Sequence, residues 1–277
     1  RPGKGQAEYP RQPSNAYRVR VKPILPALGA AAVLAIVASL LPAAHAASPA
    51  AAPATGPLTG MVIALDPGHQ LGNSNPKFYS DLQKTHWDGY QTKTCNTTGT
   101  ATNAGYPEAT FNWKVAKLVK DQLVALGATV PMTRHSNSWN KWGPCVDERG
   151  RFGAKVGADL MVSIHADGAD PAGHGFFVME PTVIKGWTDD ISAQSIRMGN
   201  RFIRGMVGAG ATTSTYIQGG MMITPTISTL NCSDVPVILV ESGNMRNAGD
   251  AARMSSASGQ STYADWIVAG IRAALRK

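Results

Sequence analysis

Short runs of consecutive apolar residues alternate along this chain with longer stretches in which apolar residues recur at helical spacing. Gly, Pro or Asp bounds these runs, which is typical of strands that are buried on both faces of a sheet. The predicted strands cover residues 61–65, 128–132, 160–164, 176–179 and 235–240.

The longer stretches predict amphipathic helices. In residues 108–126, apolar side chains form one stripe, lysines occupy the opposite face, and Gly127 is placed to end the helix. Further helices are predicted over residues 147–156, 190–207 and 263–276. Strands that alternate with helices predict an α/β fold, in which a single domain contains a mostly parallel, twisted sheet of about five to six strands with helices on both faces.

Two segments do not match this alternation. Residues 71–106 and 208–234 are rich in polar residues and glycine, and they are too long for ordinary connections. Long loops of α/β domains commonly form walls or lids of functional sites. The alternative for each segment is a mobile surface insertion.

The first 59 residues have the composition of a targeting segment. Arg18, Arg20 and Lys22 precede an uncharged apolar run that ends in Ala44-His45-Ala46, so residues 1–46 are predicted to be a secretory signal peptide. An uncleaved membrane anchor is the alternative, because the uncharged run is just long enough to span a bilayer. Residues 47–59, with several prolines and alanines, are predicted to be an extended linker, and residues 60–277 the folded domain.

This organisation places the domain outside the cytoplasm, in the periplasm, the cell wall or the medium, with no stable membrane insertion once the signal is removed. It also changes how the net charge of +8 is interpreted. Residues 1–46 contain six basic residues and one acidic residue, so they contribute five of these charges. The remainder is spread over the domain with no basic cluster, and a nucleic-acid partner is therefore not indicated.

The chain has three cysteines. In an oxidising compartment a disulfide is favoured over a metal cluster. Cys95 and Cys145 lie in polar loop segments, whereas Cys232 lies near an apolar run. We expect Cys95 and Cys145 to pair and Cys232 to be free, although the sequence alone does not fix the pairing.

Ionisable residues directly follow three of the predicted strands. His69 follows the first strand in the sequence Asp-Pro-Gly-His, and His165 and Glu241 follow the third and fifth strands. The carboxyl ends of parallel strands meet at one edge of a sheet, so these side chains would face one crevice, which Glu108 at the start of the first helix could join. Two imidazoles and one carboxylate are the ligands of a catalytic zinc site, and a second carboxylate is a suitable general base.

Each of these residues is weak evidence when taken alone. A histidine after a strand can be an ordinary hydrogen-bonded core residue, and a glutamate at a helix start can simply complement the helix dipole. Nearby, Asp66 and Asp167 are candidates to hold the outer nitrogen of a ligand imidazole, although Asp66 could instead cap its own turn. Arg149 is expected to make a structural ion pair.

Four segments, in order along the chain, strengthen the argument. They read VIALDPGH, PEATFNWKVAKLVKDQL, RGRFGAKVGADLMVSIHAD and PVILVESGNMRNAGD. They resemble the zinc-dependent N-acetylmuramoyl-L-alanine amidases of the amidase_3 family, and the chain is most similar to the single-domain exported amidases of mycobacteria. The resemblance implies that His69, Glu108 and His165 bind one zinc ion per chain and that Glu241 is the catalytic acid and base.

The resemblance also implies a substrate and a reaction. The domain at residues 60–277 would hydrolyse the amide between N-acetylmuramic acid and L-alanine in peptidoglycan or muropeptides. Separately, we expect a monomer, and we expect no appended wall-binding module because nothing after residue 60 resembles a linker. Departures from the family pattern, such as Gln70-Leu71-Gly72 after the first histidine and Asp167 in place of asparagine, concern the substrate rim and not the ligands. Two alternatives stay open, namely a zinc peptidase acting on the stem peptide and a catalytically silent wall-binding or regulatory protein.

Overall fold

The structure is a computed structural model, and it describes residues 55–276. The predicted signal peptide and residues 47–54 of the predicted linker lie outside the described residues. At the start of the described chain, Leu58 is 6% exposed and its backbone N–H donates to the carbonyl of Leu126 at 3.0 Å. The fold therefore begins slightly before the predicted boundary at Gly60, because Leu58 packs into the core.

Five of the seven strands in the described chain form one sheet, in the order β1-β4-β7-β5-β6. The strands are β1 (Ile63–Pro67), β2 (Thr85–Trp87), β3 (Thr92–Thr94), β4 (Leu160–Asp167), β5 (Phe177–Pro181), β6 (Met221–Thr224) and β7 (Val237–Asn244). Strands β1, β4 and β7 are parallel, β5 is antiparallel to β7, and β6 is parallel to β5. The short strands β2 and β3 form a separate antiparallel hairpin. A mostly parallel sheet is confirmed.

Helices cover both faces of the sheet. The α-helices are α1 (Tyr79–Leu82), α2 (Glu108–Ala125), α3 (Val146–Lys155), α4 (Ser192–Gly208), α5 (Ser228–Asn231), α6 (Ala248–Ser255) and α7 (Ala257–Ala274). Short 3-10 helices occur at Leu71–Ser74, Pro76–Phe78 and Gln218–Gly220. None of the helices in residues 55–276 combines the length and the apolar character needed to cross a membrane.

Side chains that alternate along β4 show how the sheet separates two cores. Leu160, Val162 and Ile164 belong to the larger core, which contains residues of α2, α4 and α7. Met161 points to the other side, into a smaller core with residues of α3 and α5 packed nearby. Because successive side chains of a strand face opposite ways, His165 lies on the same face as Met161. The predicted two-sided α/β domain is confirmed.

Two differences from the predicted elements concern the main sheet. Residues 128–132 make only two isolated bridges to the β1 region, at Thr129 and Met132, and do not form a full strand. Within 208–234, which was expected not to fit the sheet, β6 is an edge strand of the sheet. Its side chains are only partly buried, and Ile223 is 51% exposed, so β6 lacks the uninterrupted apolar pattern of a central strand.

One disulfide fixes the first long segment to the domain. Cys95 pairs with Cys145, which is the residue immediately before α3. Cys232 is buried and free. Both expectations about the cysteines are confirmed. The cross-link attaches the segment that follows the β2–β3 hairpin to the start of α3, near the end of β1.

Candidate metal centre

Four side chains from separate elements meet at the carboxyl edge of the sheet. His69 follows β1 after one glycine, and His165 lies near the end of β4. Glu241 on β7 is the direct neighbour of His165 in the parallel ladder. Glu108 is the first residue of α2 and reaches the same edge from the start of that helix. The structure thus brings together the four residues that the sequence singled out.

Glu108 lies between the two imidazoles. Its Oε2 is 3.2 Å from Nε2 of His69, and its Oε1 is 2.9 Å from Nδ1 of His165. The two rings meet edge to face, with centroids 4.8 Å apart. One donor atom from each of the three residues lies within 4.8 Å of the other two.

These distances can be compared with what a metal ion requires. A tetrahedral ion with ligand bonds of about 2.0–2.1 Å places its donor atoms about 3.3 Å apart. The separations of 3.2 and 2.9 Å between Glu108 and the two imidazoles are close to that value. The His–Glu–His group is therefore positioned to bind a metal ion.

The turn that presents His69 depends on a glycine. A Cβ added to Gly68 would lie 2.2 Å from Cε1 of His165, so no larger residue fits there without displacing His165. His69 itself has φ of 56°, in the left-handed region that non-glycine residues rarely adopt. The strained backbone directs this imidazole back toward Glu108, which agrees with the tendency of such strain to occur at functional sites.

A buried ion pair supports this turn from beneath. Nη1 of Arg149 lies 2.6 Å from Oδ1 of Asp66, and Nη2 of Arg149 donates to the backbone carbonyl of His69 at 2.8 Å. Burial alone would raise the pKa of Asp66, but the charge of Arg149 and hydrogen bonds from Thr133 and Ser163 lower it below its ordinary value. Arg149 thus makes the structural pair that was expected, and Asp66 serves the turn rather than a ligand imidazole.

The outer nitrogen of His69 is held by a backbone carbonyl. Its Nδ1 is 3.0 Å from the carbonyl oxygen of Thr97, which leaves Nε2 facing Glu108. A carbonyl that accepts from the outer nitrogen fixes the tautomer suited to metal binding. Neither Asp66 nor Asp167 makes this contact. No sequence pattern indicates Thr97, because only tertiary closure of the long loop places it beside His69.

A second residue of that loop was also not recognised from sequence. Gly99 has φ of 77°, and a Cβ there would lie 2.6 Å from Oε2 of Glu108 and 2.8 Å from Cδ2 of His69. Only glycine allows the loop to close over these two side chains. The next residue, Thr100, donates its backbone N–H to Oε2 of Glu108 at 2.9 Å.

The surroundings of Glu108 stabilise its charged form. Its carboxylate also accepts hydrogen bonds from the amide of Asn112 at 3.1 Å and the backbone N–H of Ala166 at 3.3 Å. Burial would raise the pKa of Glu108, but the charges and hydrogen bonds of His69 and His165 lower it well below the ordinary value. Burial disfavours protonation of His69, yet Glu108 outweighs it, so the pKa of His69 is raised.

Glu241 has the opposite environment. Its Oε2 is buried and has no hydrogen-bond partner among residues 55–276. Burial, followed by the nearby negative charges of Glu108 and Asp167, raises the pKa of Glu241 well above its ordinary value. A carboxylate whose pKa is moved toward neutrality is suited to accept and donate a proton.

The site opens into a cavity of about 290 Å³. His69, His165 and Glu241 line one part of it, Lys93 of the β2–β3 hairpin lines another, and residues 226–229 complete the wall. Both long segments therefore border the site, since Lys93 belongs to the first and residues 226–229 to the second.

The chain is similar to known proteins over most of the described residues. A family model described as N-acetylmuramoyl-L-alanine amidase matches residues 63–273. An N-acetylmuramoyl-L-alanine amidase of Mycobacterium tuberculosis is 36% identical over 215 residues, which are 76% of this chain and 85% of that protein.

Solved structures show the same similarity. The amidase Ami1 from Mycobacterium smegmatis is 37% identical with a TM-score of 0.72, over 79% of this chain and 98% of that one. The apo form of Ami1 from Mycobacterium abscessus is 39% identical with a TM-score of 0.72, over 79% of this chain and 100% of that one.

Proposed function

Since the chain belongs to the Amidase_3 family and is an N-acetylmuramoyl-L-alanine amidase, we propose that His69, Glu108 and His165 hold one zinc ion and that Glu241 is the general acid and base. The observation that carries this proposal is the contrast between two carboxylates at one edge of the sheet. Glu108 contacts both imidazoles and its pKa is lowered, whereas Glu241 has an unpartnered oxygen and a raised pKa.

The reaction divides between the ion and the protein. Zinc, when bound, supplies a Lewis acid that makes water acidic near neutral pH and stabilises negative charge on the substrate carbonyl oxygen. Glu241 accepts the proton that the attacking water loses. It then returns this proton to the nitrogen of L-alanine as the bond from that nitrogen to the lactyl carbonyl carbon of N-acetylmuramic acid breaks. The unpartnered Oε2 of Glu241 is the atom available for this transfer.

The proposal includes an exported, monomeric enzyme that acts on peptidoglycan or on its soluble muropeptides. The Cys95–Cys145 disulfide supports export, because structural disulfides persist in oxidising compartments outside the cytoplasm. Residues 1–46, as a signal peptide, would direct the chain there.

Product analysis tests the reaction. Muramyl dipeptide is incubated with the protein, with the protein after chelator treatment, and with the treated protein after zinc is restored, and the products are identified by mass spectrometry. We expect free N-acetylmuramic acid and a peptide with an amino-terminal L-alanine, formed only when zinc is present. Cleavage inside the peptide would instead support the peptidase alternative.

A matched pair of histidine variants tests the site. His69→Ala should lose both zinc, measured by elemental analysis, and turnover. His135→Ala removes an exposed histidine away from the site and should change neither. If His69→Ala retained a full equivalent of zinc, the proposed ligand set would be wrong.

A further inference from the structure

A groove between α4 and α7 is lined by arginines. Arg201 and Arg204 border it from α4, Arg272 borders it from α7, and Arg276 borders it from just beyond the end of α7. The groove has a volume of about 520 Å³, and no carboxylate of residues 55–276 lines it. With Arg197, which lies one turn before Arg201 and lines an adjoining groove, these are five of the ten arginines in residues 55–276.

The expectation that the domain has no basic cluster is therefore wrong. The arginines of α4 follow the helical spacing i, i+4 and i+7, and those of α7 are four residues apart, so each set lies on one face of its helix. About 70 residues separate the two sets along the chain. Packing of α4 against α7 joins them into one surface, which the linear charge pattern does not show.

The four guanidinium groups are not neutralised within the described structure. None of them forms an ion pair with an acidic side chain of residues 55–276. The nearest carboxylate in the adjoining groove is Asp159, and its Oδ2 already accepts the backbone N–H of Val62. Arg201 donates to the backbone carbonyl of Arg276, which orients one guanidinium of the cluster.

The helix ends explain only part of this arrangement. Cations near a helix C-terminus interact favourably with its dipole, and this applies to Arg272 in the last turn of α7 and to Arg276 just beyond it, whereas the last turn of α4 contains no basic residue. That effect does not require both sets to face one groove, where like charges repel each other. The helices also approach closely at Gly205, where a Cβ would lie 2.6 Å from the carbonyl oxygen of Ala269. The floor is consequently made of small residues, and the guanidinium groups form the walls.

The groove lies far from the catalytic edge. Arg201 and Arg276 also line the adjoining groove with Met61 and Asp159, which come just before β1 and β4. The site residues follow the opposite ends of these strands. Since β4 has eight residues, the two edges are separated by roughly 25 Å. Substitutions in the groove therefore leave the catalytic residues untouched.

We propose that this groove binds an anionic polymer whose repeating phosphodiester groups pair with Arg201, Arg204, Arg272 and Arg276. Arginine presents a planar fork of donors that matches phosphate oxygens two at a time, which favours phosphate over a diffuse negative charge. A groove with several charged groups along its walls suits a ligand with repeating charges. A bilayer surface is disfavoured, because peripheral membrane binding needs exposed apolar side chains to insert, and Val207 is the one exposed large apolar residue on α4.

This inference goes beyond the proposed function and does not depend on catalysis. A phosphodiester polymer that accompanies peptidoglycan in the envelope would hold the enzyme near its substrate, in the absence of a wall-binding module within residues 60–277. Binding at the groove is measured directly, so a failure of the zinc mechanism would leave its test unaffected.

The test uses the full chain and long-chain inorganic polyphosphate as the probe. The Arg204→Ala/Arg272→Ala variant removes two exposed guanidinium groups. The Lys141→Ala/Lys185→Ala control removes the same charge from two exposed loop lysines. The basic residues before residue 47 are common to all three proteins. We expect the arginine variant to bind polyphosphate about ten-fold more weakly with a smaller dependence on salt, and the lysine control to bind within about two-fold of the wild type.

A conservative variant and two other ligands define the chemistry that the groove recognises. The Arg204→Lys/Arg272→Lys variant keeps the charge but loses the planar guanidinium donors, so it should bind polyphosphate several-fold more weakly than the wild type. Equal binding would overturn phosphate recognition by guanidinium. Poly-L-glutamate, which carries carboxylates, should bind more weakly than polyphosphate. The proposal is also wrong if the lysine control weakens binding as much as the arginine variant. It is equally wrong if the wild type does not bind polyphosphate at low salt, or if phosphatidylglycerol vesicles are the ligand that the arginine variant loses.

Discussion

The two glutamates of the candidate site occupy opposite environments although both lie beside His165. Glu108 is 3% exposed, and its carboxylate accepts from backbone and side-chain donors and contacts both imidazoles. Glu241 has a buried oxygen without any partner among residues 55–276. As a result, the pKa of Glu108 is lowered and the pKa of Glu241 is raised.

This difference shows how one residue type can serve two roles in one site. A carboxylate that several hydrogen-bond donors keep ionised is suited to a role without proton transfer, such as that of a metal ligand. A carboxylate that is destabilised in its ionised form gains a proton readily and is suited to proton transfer. The local environment assigns the roles, since the two side chains are chemically identical.

The largest effect is expected when Glu108, whose carboxylate accepts several hydrogen bonds, is changed. Glu108→Gln keeps the shape of the side chain but removes the charge that both imidazoles face, so zinc should be lost and hydrolysis of muramyl dipeptide should fall to background. Asp121→Asn removes an exposed charge from the same helix and should leave both quantities unchanged. Zinc content near one equivalent in Glu108→Gln would contradict its role as a ligand.

Substitution of Glu241, whose Oε2 has no hydrogen-bond partner among residues 55–276, should reduce turnover without loss of zinc. Glu241→Gln is expected to lower kcat by about 10²–10⁴-fold, the usual cost of losing a general acid or base. The zinc content should stay at the wild-type value, because Glu241 is not among the proposed ligands. The comparison between the two glutamates fails if Glu241→Gln loses zinc, or if it turns over substrate at the wild-type rate.

Much of this site could be predicted from the sequence because it depends on strand ends. His165 and Glu241 follow uninterrupted apolar runs, and parallel strands bring their carboxyl ends to one edge. The assignment of separate roles to Glu108 and Glu241 came from the family resemblance, since the residue types alone do not distinguish them. Thr97 and Gly99 were not found, because their positions over His69 result from closure of a long loop.

The fold shows the same limit. The central strands β1, β4 and β7 have continuous buried runs, and all three were predicted. Edge strand β6 is half exposed and lies in a segment that was predicted to be a loop. The arginine groove was missed for a related reason, because its two halves are joined only by the packing of α4 against α7. Sequence patterns identify what one element buries, and they do not identify which distant elements become neighbours.

The ion pair beneath the His69 turn can also be tested. Arg149→Met removes one partner of a buried ion pair and leaves Asp66 uncompensated, so the free energy of unfolding should fall by about 3–5 kcal/mol near neutral pH. Denaturant unfolding measures this loss. In contrast, Arg151→Met breaks an exposed pair with Asp147 and should cost less than about 1 kcal/mol.

The pH dependence of this loss has a defined sign. In the wild type the pKa of Asp66 is lowered, so the pair stabilises the fold above the unfolded-state value of about 3.9, and this stabilisation is lost as pH falls through the folded-state pKa. Protonated Asp66 no longer needs Arg149. The difference in unfolding free energy between wild type and Arg149→Met should therefore shrink as the pH falls toward and through the folded-state pKa of Asp66. A difference that is constant from neutral to acidic pH would show that the pair is not the source of the loss.

The smallest effect is expected on the Glu241 side, from the charge of Asp167. This carboxylate accepts a hydrogen bond from the hydroxyl of Tyr216 at 3.0 Å, and its charge helps raise the pKa of Glu241, after burial and Glu108. Asp167→Asn removes that charge, so the pKa of Glu241 should fall. Because Glu241 must be ionised to accept a proton, the acidic limb of the kcat profile should move to lower pH, by less than about one unit. The control Asp121→Asn makes the same charge change far from the site and should leave the acidic limb of the kcat profile in place. A shift of this limb to higher pH in Asp167→Asn would show that Asp167 does not act on Glu241 through its charge.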